Sequence, residues 1–196
     1  MDGELFFSGL LELHFLGDKS EVNAKQISAF FRDFLMMNGQ IIAPADTFEA
    51  FEERYKENLQ PVQLADDLAL AAELHDTIRG TKSHANATVE RALIKLRQLD
   101  SSTAYPLVLK LMGLVKAGQI TEQQITECVE AINGFIFRRY ACGETSRTYA
   151  KWFVAACKDL SGDDIPGELR QFLIERGYPY RSHSTLLSNR LDADLT

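Results

Sequence analysis

Apolar side chains recur every three or four residues along almost the whole chain, which is the period of an amphipathic α-helix. Such stripes occupy residues 4–16, 22–38, 62–79 and 121–142. The alternation of apolar and polar positions that marks a half-buried strand is not found. The pattern therefore predicts an all-α protein of about nine or ten helices.

Residues that begin or end helices divide this pattern into elements. Thr121 and Gln124 have the spacing of a capping box, and the helix that they open is predicted to run to about Cys142. Asp46 and Thr47 are suitable caps for a short helix. Prolines suit the first turns at Pro61, Pro106 and Pro166. Glycines are placed to end helices at Gly39, Gly80, Gly118, Gly143 and Gly177.

Three further helices are predicted in the second half of the chain. One begins at Thr145 or Ser146, and one lies between Pro166 and Gly177. The last carries Leu186, Leu187 and Leu191.

Short loops between neighbouring helices favour antiparallel pairs within one orthogonal bundle. No repeat of 34 to 45 residues is found, which argues against a helical solenoid. We therefore expect a single domain over residues 1–196. The polar loop at 81–87 would also allow two subdomains, although nothing in the composition requires them.

Composition agrees with a globular protein. Apolar residues make up 45% and charged residues 25% of the 196 residues, close to the soluble average. No run approaches the roughly 18 apolar residues of a membrane span, and the acidic start is unlike a secretory signal. Three cysteines, at 128, 142 and 157, are too few for a disulfide framework and favour a cytoplasmic location.

The net charge of −7 makes the chain as a whole a poor binder of polyanions. Residues 1–60 carry five basic and eleven acidic side chains. Residues 138–158 carry one acidic side chain and five basic ones, which are Arg138, Arg139, Arg147, Lys151 and Lys158. Contact with phosphate or nucleic acid is therefore a hypothesis for that stretch alone.

Catalytic patterns are not evident. The chain has neither a nucleophile elbow nor a phosphate-binding P-loop, and its adjacent carboxylates would point about 100° apart on a helix. His75, beside Glu73 and Asp76, is expected on a solvated helix face. The sequence thus predicts no catalytic residue, metal site, cofactor or small-molecule ligand.

Arg138 and Arg139 stand at the end of a strongly apolar helix, where three interpretations remain open. In the first, they cap the negative helix end and clamp it to another helix. In the second, they contact phosphate together with Arg147 and Lys151. In the third, they contact a partner domain.

The run Gly134-Phe135-Ile136-Phe137-Arg138-Arg139-Tyr140-Ala141-Cys142-Gly143, followed by residues 145–153, resembles a signature of GmrSD-like restriction proteins. The signature is a long helix, an Arg-Arg pair, small residues, Cys-Gly, a polar turn and an aromatic helix. Weaker similarities lie at 47–51, 105–111 and 177–179, so that the resemblance covers most of residues 25–190. Its most specific element is Arg-Arg-x-x-Cys-Gly.

In that family the helical region joins a ParB-like N-terminal nuclease/NTPase domain to an HNH-type nuclease domain, and the whole protein restricts modified foreign DNA. Neither the Gln-Arg-x-x-x-Trp element nor a His-Asn-His cluster occurs here. The resemblance therefore implies a non-catalytic connecting region, a fragment whose partners are the other domains of its parent. The candidate structural or contact residues are Arg138, Arg139, Cys142, Gly143, Arg147 and Lys151. A free-standing adaptor and a DNA-contacting domain are the alternatives.

Overall fold

The computed structural model describes residues 20–56 and 60–176, with side chains from residue 25 onward. Within these residues the chain forms eight α-helices, two 3-10 helices and no strand, which confirms the all-α prediction there. The segments 4–16 and 186–191, and the turn at Gly177, lie outside the described residues.

The α-helices are α1 (Ser20–Met36), α2 (Thr47–Tyr55), α3 (Pro61–Arg79), α4 (Ala87–Gln98), α5 (Tyr105–Lys116), α6 (Glu122–Ala141), α7 (Tyr149–Asp159) and α8 (Ile165–Glu175). The 3-10 helices, Pro44–Asp46 and Ser102–Ala104, lead directly into α2 and α5.

Most of the predicted helix ends are confirmed. Thr121 and Gln124 form the complete capping box of α6, with both reciprocal hydrogen bonds present. Gly80 follows α3 with a left-handed φ of 86°. The side chain of Arg97 fills the space beside it, so that a Cβ at this position would stand 3.0 Å from the Arg97 Nε.

One predicted helix start is wrong, and another is confirmed without its predicted side-chain cap, since α2 begins at Thr47 with Asp46 at the N-cap position. Neither Asp46 nor Thr47 caps α2 through its side chain, because the preceding 3-10 turn leads the Thr47 hydroxyl to donate backward to the carbonyl of Pro44 at 3.1 Å. The helix predicted from Thr145 or Ser146 begins at Tyr149, since the Tyr149 amide closes a turn onto the Ser146 carbonyl.

Two apolar clusters form the interior. The larger one joins α4, α5, α6, α7 and α8 with the C-terminal end of α3. The smaller one joins α1 and α2 with the N-terminal part of α3, and Val154 of α7 belongs to it. Since α3 and α7 contribute side chains to both clusters, these two helices join the clusters to each other.

Helix α6 packs against α4, α8 and α5, and α5 packs against α3, α7 and α1. In the described part of the chain, no helix is both long and apolar enough to cross a membrane.

Candidate functional site

Arg139 occupies the last inward position of α6 and lies between α6 and α7. Only 8% of the residue is exposed. Its guanidinium carbon lies 4.9 Å from the centre of the Trp152 ring and 5.7 Å from the centres of the Phe135 and Tyr149 rings. Arginine faces aromatic rings favourably because the positive charge meets the negative π-face. We call these four side chains the arginine cage.

The turn that follows α6 also contacts Arg139. Gly143 takes a left-handed φ of 71°, and its amide donates to the carbonyl of Tyr140. The turn brings Glu144 back, so that its amide donates to the Arg139 carbonyl and its carboxylate lies 3.4 Å from the Arg139 Nη2. Burial raises the pKa of Tyr149, and the hydrogen bond and charge of Arg139 act against that increase.

The other predicted site residues do not gather around Arg139. Arg138 is exposed and lies over Gly134, where a Cβ would stand 2.9 Å from its Nη2. Cys142 is half-buried at the helix end, and its amide donates to the carbonyls of Arg138 and Arg139. Arg147 and Lys151 are exposed, the first in the turn before α7 and the second on α7.

The apolar stripe of α6 does not include the last two aromatic residues of the helix. Phe137 and Tyr140 are 59% and 78% exposed. The helical phase places Phe135, Ile136 and Arg139 inward instead. An arginine thus fills a core position, and two aromatic side chains face outward beside Arg138.

A second polar group, which the sequence analysis did not predict, lies between α1 and α3. The His75 Nε2 is 3.1 Å from the Asp33 Oδ2, and the two side chains are 4% and 7% exposed. A carboxylate only accepts hydrogen bonds, so the imidazole Nε2 donates. The imidazole also meets Phe30 and Tyr105 edge-on, at centroid distances of 5.5 and 6.0 Å.

This pair forms part of the wall of a cavity of about 240 Å³, which we call the cationic cleft. Helix α1 contributes one face at positions 25, 29 and 32, separated by four and three residues. Helix α3 contributes His75 and Arg79, one turn apart. The residues around the cleft are Lys25, Gln26, Ala29, Arg32, Asp33, His75, Arg79, Ser102 and Tyr105.

The expectation of a solvated His75 is wrong. Positions 64, 68, 71, 75 and 78 form one helical stripe, and His75 lies in it with 3% exposure. Asp33 likewise lies among the apolar residues of α1. In each helix a polar residue occupies a position in the apolar stripe, and this could have indicated that the residue is buried. The contact between the two, which lie 42 residues apart, depends on the fold.

Burial changes the pKa of several titratable side chains. Burial raises the pKa of Tyr105, and the positive charges of Arg79 and Arg97 act against it. Burial raises the pKa of Cys128 and Cys157 to about 12, so that both thiols stay protonated at neutral pH. Among residues 20–56 and 60–176, no three His, Cys, Asp or Glu side chains converge as a metal site.

No family model, curated protein or solved structure matches the chain.

Proposed function

We propose that the chain is a non-catalytic helical connecting domain of a GmrSD-like DNA-restriction protein, which positions nuclease and NTPase domains. The arginine cage is the observation that supports this most. Two residues of the motif that carries the resemblance take part: Arg139 lies 4.9 Å from the centre of the Trp152 ring of α7, and Gly143 lies in the turn that brings Glu144 to Arg139. A scaffold needs such fixed helix contacts, because sliding helices would not hold two domains at a set separation.

The opposite side of α6 supplies a surface for a neighbouring domain. Phe137, Arg138 and Tyr140 are exposed together near the helix end, and we call them the outer face. Aromatic residues and arginine are enriched in protein interfaces and dominate their energetics. The outer face and the arginine cage are adjacent, so a domain bound at the first is held rigidly by the second.

The reading frame around this sequence gives the first test. Coding sequence for a ParB-like domain before it and an HNH domain after it is the expected result. A frame that encodes this chain and neither domain would contradict the proposal and favour a free-standing adaptor that uses the outer face.

A phage-restriction assay with the full parent protein gives the second test. Phe137→Ser combined with Tyr140→Ser should lower restriction at least tenfold without lowering the melting temperature, because both side chains are exposed. Val62→Ser, which changes a 77% exposed residue on α3, is the matched control and should restrict normally. Equal restriction by the double variant and the control would argue against a contact at the outer face.

Direct DNA contact is the second candidate function. Arg138, Arg147, Lys151 and Lys158 are all exposed, as a DNA-binding surface requires. Binding of duplex DNA by the chain would then weaken steeply with salt, since each phosphate contact releases counterions. The absence of binding at low salt would reject this candidate and leave the connecting role untouched.

A further inference from the structure

The cationic cleft is lined by three positive side chains. Lys25, Arg32 and Arg79 make no ion pair with any side chain in the part of the chain that the structure describes. The Arg32 Nε is shielded from solvent and has no hydrogen-bond partner there. A buried donor left without a partner destabilises the fold, so the arrangement favours a ligand that accepts from it.

The His75–Asp33 pair keeps these cations available. Asp33 is the acidic residue that lines the cleft, and its carboxylate accepts from His75 at 3.1 Å. Because the Asp33 carboxylate bonds to the imidazole, it forms no ion pair with Arg32 or Arg79 among the described residues. His75 and Asp33 are therefore positioning residues of the cleft.

The charge of the cleft indicates the charge of its ligand. With histidine counted as neutral, three cations and one carboxylate leave two positive charges among the lining residues. A phosphate monoester carries a charge of about −1.5 to −2 at pH 7 and has three strong acceptor oxygens. Ser102 and Tyr105 also line the cleft, and each carries a hydroxyl that can donate a hydrogen bond.

The size of the cleft limits the rest of the ligand. Pockets that enclose drug-sized molecules measure about 300–1,000 Å³, whereas this cavity measures about 240 Å³. It therefore accommodates a phosphate group and a small part of what is attached to it. We propose that the cationic cleft binds a phosphate dianion, either inorganic phosphate or the terminal group of a mononucleotide, through Lys25, Arg32 and Arg79.

Isothermal titration calorimetry of the whole chain at pH 7.5 tests this, with inorganic phosphate and adenosine monophosphate as separate probes. Binding of at least one probe is expected. Tighter binding of the nucleotide assigns the source to a mononucleotide, and equal binding assigns it to the phosphate group alone. Dimethyl phosphate, a monoanion, should bind at least tenfold more weakly than inorganic phosphate, and equal affinity would overturn the dianion assignment.

Arg32→Gln combined with Arg79→Gln should weaken binding at least tenfold, whereas Arg91→Gln, on the exposed side of α4, should bind like the unchanged chain. Circular dichroism checks that the double variant folds. If it does not, Lys25→Gln, an exposed position on α1, replaces it, with an expected threefold loss.

Three further results would overturn the proposal. One is that neither probe binds at millimolar concentration. Another is that the cleft variants and Arg91→Gln bind equally well. The third is duplex-DNA binding that depends on Arg32 and Arg79 without any binding of the two small probes. Since the proposal makes no use of the flanking domains, its failure would leave the connecting role unaffected.

Discussion

Arg139 lies at a position of α6 where the helical pattern predicts an apolar side chain. The site accepts a guanidinium because three aromatic rings surround it and Glu144 approaches it from the following turn. A cation that has left water loses hydration, and the rings and carboxylate replace part of it. The same residue would be costly at this position without that cage.

Replacing Arg139 with alanine should therefore lower the free energy of unfolding by about 2 kcal/mol, through lost cation–π contacts and lost packing of the stem. The neighbouring exposed Arg138→Ala is the control and should change it by less than about 0.5 kcal/mol. Urea unfolding monitored by circular dichroism measures both. Equal effects of the two substitutions would show that the cage does not stabilise the fold.

The cysteines differ in their surroundings, and this should be visible in their reactivity. Cys128 and Cys157 are fully buried with a pKa of about 12, whereas Cys142 is half-buried. Since the thiolate is the reactive species, an aromatic disulfide reagent at pH 8 should modify one thiol quickly and the other two only after unfolding. Cys142→Ser should remove the fast phase. A second fast thiol in the unchanged chain would contradict the buried placement of Cys128 and Cys157.

At the level of elements, the side chain of Arg97 joins α4 to the C-terminal end of α3. Arg97 of α4 donates to the carbonyls of Thr77 and Ile78, at 3.2 and 3.3 Å, and to the Glu90 carboxylate at 2.6 Å. Glu90 also accepts from the His84 amide at 2.7 Å. Arg97 thus donates to two carbonyls of the last turn of α3, where the helix offers few amide partners.

The pKa of Glu90 reflects this arrangement. Burial raises it, but the hydrogen bonds from His84 and Arg97 and the charge of Arg97 outweigh burial, so that it lies below its usual value of 4.5. A carboxyl group whose pKa is lower in the folded state stabilises the fold above about pH 4.5 and loses that contribution as the pH falls further.

We expect Glu90→Gln to lower the free energy of unfolding at pH 7 and to differ less from the unchanged chain at pH 3. Urea unfolding at pH 7, 5, 4 and 3 measures this gap. Glu52→Gln, on the exposed side of α2, is the control and should show no such trend. A gap that is constant or grows toward low pH would rule out a stabilising Glu90 carboxylate.

At the scale of the whole molecule, α3 and α7 belong to both apolar clusters. Phe51 lies in the smaller cluster with 4% exposure, and Trp152, the single tryptophan, packs against the larger one. If the two clusters unfold together, a substitution at Phe51 shifts the unfolding midpoint that Trp152 fluorescence measures. The loop at 81–87 then joins two helices of one unit and does not divide the chain.

Phe51→Ala should therefore destabilise the chain by about 3–4 kcal/mol and lower the urea midpoint of Trp152 fluorescence as much as that of circular dichroism. The exposed Val62→Ala serves as the control and should leave both midpoints in place. A fluorescence midpoint that stays constant while circular dichroism shows an early transition would indicate two independently folding subdomains.

Much of the architecture followed from local patterns, because helix formation depends on neighbours three and four residues apart. The capping box at Thr121 and the stop at Gly80 were predictable since both depend on side chains and φ angles within one turn. The start of α7 was placed too early, because a turn and a first helical turn share the same polar residues.

The candidate sites were less predictable. The sequence identified Arg138 and Arg139 as a pair but did not show which of them is buried. Adjacent side chains on a helix point about 100° apart, so one can face the core while the next faces solvent. It gave no indication that His75 and Asp33 meet, because their contact joins two helices distant along the chain.

Local patterns were enough to predict the helices of the described residues, most of their ends and the motif at 138–143, since these depend on neighbouring residues and on recognisable spacing. Helix packing, in contrast, places Arg139 in the core, leaves Phe137 and Tyr140 facing outward and brings three cations around one cleft. Such facts depend on how helices lie against one another, and contacts between residues forty positions apart leave no trace in a local pattern.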